Sequence, residues 1–342
     1  MDDSAFDEFL QTPILGRRKS TKTKEEEEEE EEDVEQGKLI NNAAIVQVPV
    51  VPHQAVSRKG EGASTTTSLR EANYGGGRSQ LLHPQLEWGY CLLQGLEGRD
   101  MEDLHVAQVR TINDQEVAFF GVFDSHKGDA AARYLQEHLF DAIVSELEGG
   151  VWSDPAGATR DAYLATDGHI LDAVDKGGST AVTAMVCDNG GRVVVVVANV
   201  GDSRAVMSKA GKAVQLSVDH DPGRPTERAS VEARGGHVTH LPGDQWRVDG
   251  QLALARVFGD KALKEHMSAK PDVVEVTVDL GCEFLVLGSN GLFSLFDNQE
   301  VVDRVRASND DPVTAAHELV LEARRRYGED DISCIVIMFR EM

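Results

Sequence analysis

Residues Val117 to Leu139 read VAFFGVFDSHKGDAAARYLQEHL. An unbroken apolar run stops at Asp124-Ser125-His126. After Gly128, apolar residues recur at Ala131, Leu135, Leu139, Ile143 and Leu147. The first half is the pattern of a strand buried on both faces, and the second is one apolar stripe of an amphipathic helix. A carboxylate and an imidazole at the mouth of a buried strand mark a candidate site.

Outward from this stretch the same two patterns recur. Strands are expected at GYCLLQG, VAFFGVF, AVTAMVC, RVVVVVANV, FLVLGS and ISCIVIMF. Two further helices are expected, from about Ala156 to Val174 and from about Pro312 to Tyr327. Several strand pairs are close in sequence and helices arrive in groups, which predicts an α+β layered domain rather than a βαβ repeat.

The composition changes near residue 84. Before it lie RRKSTKTKEEEEEEEEDVEQ and EGASTTTSLREANYGGGRS, tracts too polar and repetitive to pack. We therefore expect a disordered acidic tail over 1–84 and a folded domain over 85–342. The glutamate run Glu25 to Glu32 repels itself and stays extended. The basic cluster Arg17, Arg18, Lys19, Lys22 and Lys24 fits a solvated tail or a nuclear-import signal. The intervening IVQVPVVPHQAV, with two prolines, is expected to be extended and open to a partner.

A formal net charge of −25 over 342 residues makes nucleic acid and anionic membrane poor partners. No apolar run approaches the roughly 20 residues needed to span a bilayer. The segment MDDSAFDEFLQ lacks the features of a signal peptide. The four cysteines, Cys91, Cys187, Cys282 and Cys334, have no paired zinc spacing and lie in or beside strand-like runs. They are expected to be small buried residues of a protein in a reducing compartment, cytoplasmic and/or nuclear.

The carboxylates of the domain fall at strand ends. Glu102 and Asp103 follow the first strand, Asp124 ends FFGVF, Asp202 follows VVVVVANVG, and Asp330 and Asp331 precede the last strand, while Asn290 follows FLVLGS. Singly, each suits a turn. Together, carboxylates on one rim of a sheet repel unless cations lie between them, and Mg²⁺ or Mn²⁺ favour such oxygen ligands. Two such ions suit phosphate chemistry. His126, two residues beyond Asp124, is placed to give a proton to a leaving group.

The ordered motifs GRDMEDLH, FFGVFDSHKG, GSTAVTAMV, VANVGDSRAVMS, LSVDHDP, ARGGHV, GQLALARVFGDKALK, FLVLGSNGLF and NQEVVD resemble protein phosphatase 2C, a metal-dependent serine/threonine phosphatase family. The plant-type ending DDISCIVIMF strengthens the likeness, which covers Gln85 to Met342. The resemblance implies an antiparallel β-sandwich flanked by α-helices on both faces, with the metal cleft at one end. It implies two Mn²⁺ or Mg²⁺ ions held by Asp124, the Ser125 carbonyl, Glu102, Asp103, Asn290 and Asp330, with Asp202 at a weaker third ion. His126 takes the place of the general acid. The implied reaction is attack of a metal-bound hydroxide on phosphoserine or phosphothreonine of protein substrates, by a monomer.

Three departures from the family pattern stand out. DSHKG replaces DGHGG, so backbone strain is expected at Ser125 if its angles are unusual. Gly98 stands where many members carry a phosphate-binding arginine, with Arg99 beside it. Asn290 stands where the family has a metal aspartate. Asparagine ligates through its carbonyl oxygen but brings no charge, so weakened catalysis is expected. The alternative is an inactive pseudophosphatase that acts as a regulatory binding module.

Overall fold

A computed structural model describes residues 72–342, apart from 81, 83, 97, 150–153, 327 and 341–342. The glutamate run, the basic cluster and the IVQVPVV stretch lie outside the described residues.

The chain runs through β1 (Asn73–Arg78), β2 (Gln85–Leu93), β3 (Leu104–Ile112), β4 (Gln115–Phe123) and β5 (Ser125–His126). Helices α1 (Ala130–Gly149) and α2 (Pro155–Ala173) follow, and then β6 (Gly178–Ser179), β7 (Ala181–Asp188) and β8 (Val193–Val200). Next come β9 (Arg204–Lys209), β10 (Lys212–Gln215), α3 (Pro225–Ala233), β11 (Val238–His240), β12 (Trp246–Val248) and β13 (Phe258–Gly259). The last part holds β14 (Asp272–Thr277), β15 (Cys282–Gly288), α4 (Asn290–Phe293), α5 (Asn298–Ala307), α6 (Pro312–Arg325) and β16 (Ile332–Arg340).

Two sheets carry the fold: a six-stranded one in the order β1-β2-β16-β15-β9-β10 and a five-stranded one in the order β14-β8-β7-β4-β3. Every pairing within them is antiparallel. Alternation along each strand explains the layers. In β4, Ala118, Phe120 and Val122 meet Leu285, Leu287, Ile335 and Ile337 of the other sheet. Val117, Phe119 and Phe123 point the opposite way, onto Leu135, Leu139 and Ile143 of α1. In β16, Cys334, Val336 and Met338 pack under α5 and α6, against Val302, Leu319 and Val320. Both faces of both sheets are covered, which is why these strands read as continuous apolar runs.

The expected sandwich with helices on both faces is the fold observed. All four cysteines are buried free thiols. Among the described residues, no helix is long and apolar enough to cross a membrane.

The expected boundary at residue 85 needs correction, because β1 pairs along its whole length with β2 from within the stretch assigned to the tail. A strand spelled NYGGGR has almost no apolar content to betray it. Its glycines answer to sterics: a Cβ at Gly75 would lie 2.6 Å from the Tyr90 hydroxyl, and one at Gly77 would lie 2.5 Å from the Trp88 ring.

Candidate active site

The ends of the central strands bring the carboxylates to one end of the sandwich. Asp124 follows β4, Asp202 follows β8, Asn290 follows β15, Asp330 precedes β16, and Glu102 and Asp103 enter β3. Like charges near one another raise each other's pKa. Burial pushes Asp124 well above the usual carboxylate range, and the charges of Asp103, Asp202 and Asp330 push it further. Burial lifts Asp103 to about 8 against a 2.7 Å hydrogen bond donated by Ser333 Oγ. Burial, then Asp219, lifts Asp202 to about 7. Asp330 is raised by burial, with Arg99 pulling the other way.

Local bonds fasten this rim. Thr180 donates its N–H to the Asp124 carbonyl at 2.8 Å, and its hydroxyl pairs with Ser203 Oγ at 2.7 Å, linking the Asp124 turn to the GDSR turn. Glu102 Oε1 accepts the Gly128 N–H at 2.8 Å, tying the first acidic pair to the DSHKG loop. Asp331, noticed in the sequence only as a neighbour of Asp330, accepts the N–H of Gly95 with one oxygen and that of Glu102 with the other, both at 2.7 Å. Asn290 donates its backbone N–H to Asp124 Oδ2 at 3.3 Å. Gly291 must lack a side chain, since a Cβ there would lie 2.0 Å from the Asp331 carbonyl oxygen.

His126 Nε2 lies 2.5 Å from Asp260 Oδ2. Asp260 is buried, and burial alone would raise its pKa. The bond to His126 and the nearby Lys127 and Lys264 outweigh that and hold it below the ordinary value. In the sequence Asp260 lies within VFGDKALK, with no local sign of a role. The separation of 134 residues hides the contact.

Among the described residues, no three His, Cys, Asp or Glu side chains already form a ligand cage. The carboxylates repel without converging. The donor set nonetheless fits a hard divalent cation: the carboxyl groups of Asp103, Asp202 and Asp330 repel that of Asp124, and Ser125 Oγ, beside Asp124 in the chain, is buried without a hydrogen-bond partner.

The protein phosphatase 2C family model matches residues 95–332. "Probable protein phosphatase 2C 62" of Oryza sativa subsp. japonica is 46% identical over 268 residues, covering 78% of this chain and 91% of that protein. "Probable protein phosphatase 2C 17" of Arabidopsis thaliana is 44% identical, covering 81% and 97%.

The chain belongs to the protein phosphatase 2C family.

It is a plant-type serine/threonine phosphatase of that family, and the family depends on metal, generally Mn²⁺ or Mg²⁺. Solved structures share the fold. A serine-threonine phosphatase 2C from Toxoplasma gondii aligns with a TM-score of 0.60 at 23% identity, covering 74% of this chain and 95% of that one. A C. elegans sex determining protein aligns with a TM-score of 0.67 at 22% identity, covering 73% and 64%.

Against the protein phosphatase 2C pattern, the expected strain at Ser125 is not there. Ser125 lies in β5 and has no left-handed backbone. The left-handed conformation falls on Lys127, with φ 61°, where the family pattern has glycine. Arg99, beside Gly98, is exposed, and its charge is felt at Asp330.

Proposed function

We propose that this protein hydrolyses phosphoserine and phosphothreonine in phosphoproteins, as a cytoplasmic or nuclear monomer, with two Mn²⁺ or Mg²⁺ ions and an activity lowered by Asn290. Asp124, the Ser125 carbonyl, Glu102, Asp103, Asn290 and Asp330 would hold the ions, with Asp202 at a further position. The observation that carries this reading is the 3.3 Å bond from the Asn290 backbone to Asp124 Oδ2, which keeps residue 290 beside a central carboxylate of the site. An amide there lacks the charge of an aspartate.

When bound, the ions supply Lewis-acid charge at the phosphoryl group and lower the pKa of water there. The chain supplies orientation and a proton. Asp260 Oδ2 accepts the Nε2–H hydrogen bond of His126, which leaves Nδ1–H as the group that delivers a proton to the departing serine or threonine oxygen. A buried carboxylate partner fixes the orientation of the ring.

Phosphopeptide hydrolysis with Mn²⁺ and with Mg²⁺, for the wild type and Asn290→Asp, tests the reading. Measurable wild-type turnover that rises in the variant supports it. No turnover in either protein, together with retained phosphopeptide binding, would instead favour the regulatory binding module, for which the missing charge at Asn290 is the motive.

A further inference from the structure

The short sheet β13-β6-β5 sits beside the candidate acid His126. Its register pairs His126 with Gly178 and Gly178 with Gly259. One step further along lie Lys127, Gly177 and Asp260. Gly177 accepts the Asp260 N–H at 2.9 Å and lies against the carbonyls of His126 and Lys127. The adjoining residues in the chain are Lys176, just before the central strand, and Lys261, in the turn just after its neighbour. Lys127, Lys176 and Lys261 are all exposed. Three exposed lysines thus fall at the same end of one small sheet, the sheet that carries His126, in a chain of net charge −25.

Lys127 carries the strongest mark. It holds a left-handed backbone, φ 61°, which glycine adopts freely and lysine does not. A residue kept in a strained conformation points to function. Its side chain is 60% exposed, and its ammonium is 3.7 Å from Asp260 Oδ1, while the other carboxylate oxygen is held by His126. Asp260 therefore keeps the Lys127 ammonium on the side of the sheet where His126 lies, in a looser pair than the one it makes with the histidine. Of the acidic neighbours, Asp129 is paired with Arg133, and Asp175 remains beside Lys176.

We propose that Lys127, Lys176 and Lys261 recognise an anionic side chain of the substrate next to the phosphorylated residue. The inference rests on the phosphatase reading above, with the scissile phosphate held near His126. Attraction to a flanking anion selects acidic sequences, and salt screens it.

The test uses the full chain with Mn²⁺ and labelled peptides bearing a non-hydrolysable phosphonate in place of phosphothreonine. Three peptides flank that residue with alanine, with glutamate or with phosphoserine, and dissociation constants are read by fluorescence anisotropy. The glutamate peptide should bind the wild type about fivefold more tightly than the alanine peptide, as a few exposed ion pairs allow. The phosphoserine peptide reports whether a second phosphate serves better than a carboxylate. The glutamate-to-alanine ratio should fall to about one in Lys127→Gln combined with Lys176→Gln and Lys261→Gln, and should persist in Lys127→Arg. A ratio near one in the wild type, or an unchanged ratio in the triple variant, overturns the proposal. Failure of every peptide to bind would overturn the phosphatase reading as well, and that outcome is distinct from loss of the ratio alone.

Discussion

Asp260 and His126, 134 residues apart in sequence, share a hydrogen bond of 2.5 Å between Oδ2 and Nε2. The pairing turns a lone histidine at a strand mouth into an oriented one. His126→Ala should slow phosphopeptide turnover about 100-fold or more. An activated aryl phosphate, whose leaving group needs no proton, should slow far less. Asp260→Asn should follow the same substrate pattern with a smaller loss. Steady-state kinetics on both substrates checks this, and equal slowing on the two would remove the proton-donor role.

Asn290 predicts a metal phenotype. Asn290→Asp should bind Mn²⁺ about 10–100-fold more tightly, the range seen when a partner of a metal site is gained or lost. Titration calorimetry on both proteins measures it. Equal affinities would mean that the missing charge is made up elsewhere in the site.

The edge strand β1 moves the boundary for truncation. Removal of residues 1–71 should leave the melting temperature nearly unchanged. Removal of residues 1–78 strips β2 of its partner and should lower melting by about 2–4 °C or more, the scale of one lost kcal/mol in a domain of this size. Scanning calorimetry of the two truncations decides it, and identical curves would show that β1 adds nothing to stability.

Glu300 predicts the acid limb of stability. Its carboxyl accepts from Arg326 Nη1 at 2.9 Å and from Arg304 Nε at 3.0 Å, and both guanidinium groups lie over the Phe296 ring. The Arg326 hydrogen bond, against some burial, holds Glu300 down at about 2, from an ordinary 4.5. A carboxyl depressed in the folded state stabilises above its unfolded pKa and loses that contribution as pH falls through the folded one. The stability gap between wild type and Glu300→Gln should therefore be full at pH 7 and shrink between about pH 4.5 and 2. Urea unfolding across that range reads it directly. A gap independent of pH would contradict the network.

The central strands were readable because both of their faces are covered, which forces unbroken apolar runs such as VAFFGVF and ISCIVIMF. The rim residues were readable as well, since aspartates at strand ends follow once the strands are placed. β3 was missed because its face alternates with polar residues, as in LHVAQVRTI. β1 was missed because its stability comes from pairing with β2 rather than from its own side chains. Asp260 and Ser333 escaped for a different reason: each acts on a partner far away in the chain, and a local pattern carries no trace of such contacts. The mismatch of DSHKG with DGHGG pointed to strain at Ser125 only if its angles were unusual, and the left-handed backbone falls two residues on, at Lys127, because a motif mismatch does not say which residue bears the turn.

Asp331 gives the site a mechanical property. With one oxygen on Gly95 N–H and the other on Glu102 N–H, it bolts the start of β16 to both ends of the β2–β3 connection. Glu102 and Asp103 on one side and Asp330 on the other are thus parts of one rigid frame. Conformational entropy that a loose rim would lose on capturing an ion has already been lost during folding. An ion captured there would meet a backbone already fixed by these bonds, and selection among cations would fall to their radius and their reluctance to shed water.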